Sequence, residues 1–111
     1  MILRFPIVFV LFATFAAGAA PAFAQETYTI VIKDHRMDPA ELEVPAGKKI
    51  KLLVDNQDPT PEEFESHSLN REKIIPGNSK ATIFIGPLKP GSYEFFGDFH
   101  QATAQGRIVA K

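Results

Sequence analysis

The sequence predicts an all-β fold, an antiparallel sandwich or barrel. Two observations carry this: short segments that alternate apolar and polar residues, and turn residues that separate them at close intervals, with no helical period between. Tyr28–Lys33 alternates, with Tyr28, Ile30 and Ile32 on one face. Asp34–Ala40, which holds Asp38-Pro39, is expected as a loop. Leu42 and Val44 alternate and stop at Pro45-Ala46-Gly47. Lys49–Asn56 turns Ile50, Leu52 and Val54 inward, with charged residues opposite. Gln57–Glu62 contains Pro59 and Pro61 and is expected as a loop, and Glu63–Leu69 as a strand. Pro76-Gly77-Asn78 marks a turn. Ala81–Ile85 is β-branched and aromatic and ends at Gly86-Pro87. Lys89-Pro90-Gly91 marks another turn, Tyr93–Gly97 is an aromatic strand, and Arg107–Ala110 closes the chain.

The first 24 residues read differently. Met1–Arg4 is a short basic start, Phe5–Ala17 is almost wholly apolar, and Gly18–Ala24 ends in Ala22-Phe23-Ala24. That is the layout of a secretory signal peptide with cleavage before Gln25. The apolar run is short for a span, which needs about 20 residues. The expectation is therefore a leader at 1–24, one domain at 25–111, and residence in a bacterial periplasm.

A domain of this size buries only about 60–65% of its unfolded surface. Small secreted domains often add disulfides, but this chain has no cysteine. A sandwich core must then supply the stability, with a metal as the available reinforcement. The formal charge is −1, and loss of Arg4 with the leader makes the domain slightly more acidic. There is no basic patch or Arg cluster, which argues against nucleic acid as a partner. No GxGxxG or P-loop pattern occurs. Ser66 and Ser68 flank His67 in an expected strand, away from the strand–helix elbow that a nucleophile occupies.

Met37-Asp38-Pro39, Leu42-Glu43-Val44-Pro45-Ala46-Gly47 and Val54-Asp55-Asn56, followed by Pro90-Gly91-Ser92-Tyr93-Glu94-Phe95, His100 and Gly106, resemble the cupredoxin family in order and spacing. The resemblance covers nearly all of residues 25–111 and implies a Greek-key β-sandwich. It also implies a copper site built from a histidine after the third strand, then a cysteine, a histidine and often a methionine near the C-terminus. Here Gly97 stands at the cysteine position, His100 at the histidine, and Glu62-Glu63 near the first histidine, with no methionine across Thr103–Gln105. A blue copper centre needs a thiolate, so the intense blue band is expected to be absent. Nitrogen and oxygen donors suit Cu(II), iron, Zn(II) or Mn(II) instead. Glu63-Phe64-Glu65-Ser66 with Glu72-Lys73 and Phe96-Gly97-Asp98-Phe99-His100 looks like the EfeO-type cupredoxin-like subgroup. That resemblance implies copper or iron handling beside an iron-permease membrane complex and a periplasmic metal-binding partner.

Strand direction then groups the candidates. The first strand delivers His35 to one end of the sandwich, the third brings Asn56–Glu63 there, and the penultimate brings Gly97–His100. Convergence of His35, Glu62, Glu63, Asp98 and His100 is expected. By the two-residue period, Glu63, Glu65 and His67 share one face and Phe64 takes the other. The candidate metal ligands are His100, Glu63, Asp98, Glu65, His35 and His67, with Glu62 ranked below them and Met37 expected in the core. Each has a plainer reading, as a loop histidine, a turn cap or a solvated acidic face. Gly97 reads either as a position that opens coordination space or as a β-bulge. Three functions compete: metal binding in iron uptake, as a carrier or with ferroxidase-type activity; a metal-free accessory binding module; and electron transfer.

Overall fold

Alternation shapes the strands in this computed structural model, which describes residues 26–111 and, before them, positions 2–4, 6, 10 and 13. The expected leader falls largely outside the described residues. Nine strands follow in order: β1 (Thr27–Lys33), β2 (Arg36–Asp38), β3 (Glu41–Val44), β4 (Ile50–Asn56), β5 (Glu62–Ser66), β6 (Arg71–Ile75), β7 (Ser79–Ile85), β8 (Gly91–Gly97) and β9 (Gln105–Ala110), with a 3₁₀ turn at Asp98–His100 before β9. They form two sheets, β2-β1-β4-β7 and β3-β9-β8-β5-β6.

The fold is the expected all-β sandwich, but the sheets are mixed. β1 pairs with β4 in parallel, from Thr27↔Lys51 to Ile32↔Asn56, and β3 pairs with β9 in parallel. Between β1 and β4 the chain leaves for the second sheet through β3 and returns. Such a crossover lets neighbouring strands run the same way, whereas a hairpin must reverse them. Two strands arise where none was expected. β2 pairs with β1 across the two-residue turn Asp34-His35, both at positive φ (51° and 57°), in place of the glycine that usually announces such a hairpin. β6 is an edge strand with only Ile75 buried, so it shows little alternation.

The core lies between the sheets. Ile30, Ile32, Leu52 and Val54 from one face it, and Phe64, Ile75, Phe95 and Ile108 from the other, all fully buried. The Phe64 and Phe95 rings stack at 5.3 Å. Each such side chain contributes about 1.5–3 kcal/mol on leaving water. Met37 is buried in this core, as expected. The directions of β1, β4, β5, β8 and β9 bring the β1–β2 turn, the 57–61 loop, the start of β5 and the 98–104 connection to one pole.

Candidate metal centre

β5 begins at that pole, and its pleat sorts the acidic residues. Glu62, Phe64 and Ser66 face inward, and Glu63 and Glu65 face outward. Glu62 is therefore drawn under the pole and is only 2% exposed. A buried carboxylate needs hydrogen bonds or a counter-charge, and Glu62 has them. Its Oε1 accepts the backbone N–H groups of Glu63 (3.0 Å) and Phe99 (2.9 Å). The His100 Nδ1–H donates to its Oε2 at 2.5 Å.

Gly97 makes room for this carboxylate. A Cβ at position 97 would stand 2.6 Å from the Glu62 Cδ, 2.9 Å from its Oε1 and 2.7 Å from the Ala104 Cβ. So the glycine at the expected cysteine position does not open a vacant coordination place, and the Glu62 head fills it. The 3₁₀ turn and the bonds from the Thr103 and Ala104 amides to the His100 carbonyl close the connection and fix His100 above Glu62.

His35 enters from the other sheet. Its ring centroid lies 3.6 Å from that of His100, tilted by 47°. The His35 Nδ1 is buried without a hydrogen-bond partner. His35, Glu62 and His100 each offer a donor atom within 4.8 Å of the others. Two imidazoles and one carboxylate form a nitrogen–oxygen donor set that fits Cu(II), Zn(II) or iron. With Gly97 at the pole and no cysteine in the chain, the residues do not fit a thiolate copper centre.

The other expected ligands lie elsewhere. Glu63 and Glu65 join Glu72 in a second cluster, on the outer face of β5 and β6. Glu63 is pushed up to about 7 by its hydrogen bond with Glu72, then by burial and by the charges of Glu72, Asp98 and Glu65. Asp98 flanks this cluster and accepts a bond from Gln101 Nε2 at 2.7 Å. Glu63 thus does not join His35 and His100, because one step along a strand changes the face, and Asp98, in the 3₁₀ turn, lies beside Glu63 instead. His67 lies beyond β5 with its side chain 80% exposed, 3.9 Å from Glu65 and 5.5 Å in ring distance from Phe96. Glu62, ranked low from sequence, is the carboxylate that meets the histidines. The signal was present: the period that put Phe64 in the core puts Glu62 beside it.

The fold and this pole place the chain in a class of small β-sandwich proteins, and the chain belongs to the cupredoxin-like domain family, whose model matches residues 6–110. A protein of Rickettsia prowazekii (strain Madrid E), uncharacterized protein RP394, is 56% identical over 80 residues, covering 72% of this chain and 64% of that protein. The chain thus spans less than two thirds of that relative's length. Among solved structures, auracyanin A, a "blue" copper protein of Chloroflexus aurantiacus, is similar with a TM-score of 0.68 at 16% identity, over 78% of this chain and 98% of that one. The metal-binding domain of the Cu(I)-exporting P-type ATPase CopA of Streptococcus pneumoniae D39 is similar with a TM-score of 0.64 at 16% identity, over 77% and 84%. Amicyanin of Paracoccus versutus gives 0.59 at 14% identity, over 79% and 84%. At these identities the likeness is one of fold.

Proposed function

We propose that this chain binds a transition-metal ion, copper first, through His35, Glu62 and His100. The observation that carries the reading is the buried, unpartnered His35 Nδ1 beside a buried carboxylate and a second imidazole. A buried polar atom without a partner is uncommon and calls for a ligand or a water. When bound, copper would supply a one-electron couple at a site without thiolate. The chain's own residues would present two imidazoles and one carboxylate to it.

The biological setting belongs to the same proposal. The signal-peptide layout supports the periplasm, and the EfeO-type sequence resemblance supports a role in iron uptake. That role would be Fe(II) oxidation or metal delivery, beside an iron-permease complex and a periplasmic metal-binding partner. Copper-protein neighbours support copper over iron as the resident ion.

Calorimetric titration of the purified protein with Cu(II), Zn(II) and Fe(II) tests the reading. Saturable binding of one ion is expected, weakened at least about tenfold in His100→Ala, with no intense blue band. Fe(II) consumption above that of free metal would select oxidation over delivery. A second reading has its own support, since Glu62 is fully hydrogen-bonded by protein groups alone. In it the pole is structural and the domain is a metal-free accessory module, and absence of saturable binding would establish it.

A further inference from the structure

The Asp34-His35 turn closes the β1–β2 hairpin and is also gripped from outside. Both residues have positive φ, a conformation in which a non-glycine Cβ crowds the backbone, and the turn lies at the end of a three-residue strand. One side chain of the 57–61 loop meets both of its amides. The Asp58 carboxylate accepts the Asp34 N–H at its Oδ1 (2.8 Å) and the His35 N–H at its Oδ2 (3.0 Å). Asp58 is itself 7% exposed and fixed at every polar group. Its N–H donates to the Asn56 Oδ1 (3.1 Å), and its carbonyl accepts the Asn78 N–H (2.8 Å). The fully buried Asn56 in turn donates to the Thr60, Ile75 and Pro76 carbonyls. A continuous set of bonds therefore runs from β4 and the β6–β7 turn, through Asp58, to the backbone that carries His35.

We infer that Asp58 is a positioning residue for metal binding, gripping both amides of the β1–β2 turn so that His35 stands against His100. The inference rests on the metal-site reading above and deepens it. Groups that orient a ligand without touching the ion commonly govern affinity about 10- to 100-fold. Asp58→Asn is the sharpest probe. It keeps the shape but leaves one acceptor oxygen, and turns an N–H₂ toward an amide donor.

Two measurements on the full protein decide the matter. In the metal-free wild type, the Asp34 and His35 amides are expected to be protected from hydrogen exchange, with proton–proton contacts between the His35 and His100 rings. In Asp58→Asn, both features are lost while β1 and β4 amides stay protected. Competition with a chelator for Cu(II) then shows Asp58→Asn weakened by at least about tenfold, close to His35→Ala. Paramagnetic resonance shows one nitrogen coupling lost in both variants. Freely exchanging Asp34 and His35 amides in the wild type overturn the inference, whatever the variant's folding. So do retained ring contacts in Asp58→Asn, or wild-type Cu(II) affinity in it while His35→Ala is weakened. If the wild type takes up no copper, the metal reading falls, and the ring contacts and exchange alone judge whether Asp58 places His35.

Discussion

Glu62 and Gly97 form a matched pair of residues. The carboxylate occupies the volume that any side chain at position 97 would need. Gly97→Ala is expected to destabilise the fold by about 1–3 kcal/mol, as overpacking does in a close-packed interior, and to weaken metal binding by displacing Glu62. Urea unfolding with a Cu(II) titration checks both, and an unchanged midpoint would show that Glu62 can yield. Glu62→Gln isolates the charge. The amide oxygen can still accept the Glu63 and Phe99 N–H groups, so the fold is expected to persist. An ion held as proposed would lose its anionic donor, and Cu(II) affinity is expected to fall at least about tenfold. Equal affinity would remove the carboxylate from the donor set.

At the scale of the element, β5 separates two chemistries by one peptide bond. Its inner face carries Glu62 to the histidines, and its outer face carries Glu63 and Glu65 to Glu72. The outer cluster has its own pH signature. Glu63 titrates near 7 in the folded chain against an ordinary 4.5. Between these values the folded chain keeps a proton that the unfolded chain has released, so stability declines as pH rises through this window and the deficit is complete above it. Glu63→Gln is therefore expected to raise the melting temperature at pH 8 and leave it nearly unchanged at pH 4. Thermal scans at both values check it, and a lower melting temperature at pH 8 would contradict the crowding of carboxylates. The same strand shows what was legible in the sequence. Alternation exposed β1, β3 and β4, β-branched and aromatic content exposed β7 and β8, and the two-residue period set Phe64 against the core. That period also fixed the face of Glu62, but with the preceding prolines Glu62 reads as the end of a loop rather than the start of a strand. β6 was hidden because Arg71, Glu72 and Lys73 carry no apolar period. β2 was hidden because its turn uses aspartate and histidine. The grip of Asp58 on that turn joins residues more than twenty positions apart, a contact that local pattern does not encode.

For the whole molecule, the sandwich brings its two sheets together at one pole, with His35 from one sheet and Glu62 and His100 from the other. Fixing them with one ion ties the sheets together, so binding and stability are linked. An ion that binds only the folded chain, at a hundred times its dissociation constant, adds about 2.7 kcal/mol. Cu(II) is expected to raise the denaturation midpoint accordingly, with the gain lost in His35→Ala. A gain of equal size in that variant would place the ion elsewhere. Crystals of the protein grown with Cu(II), with anomalous scattering recorded on either side of the copper edge, locate the ion itself. One peak is expected within direct bonding distance of His35, Glu62 and His100. A copper peak only on the outer face, among Glu63, Glu65 and Glu72, or none at the pole at all, would contradict the proposed site.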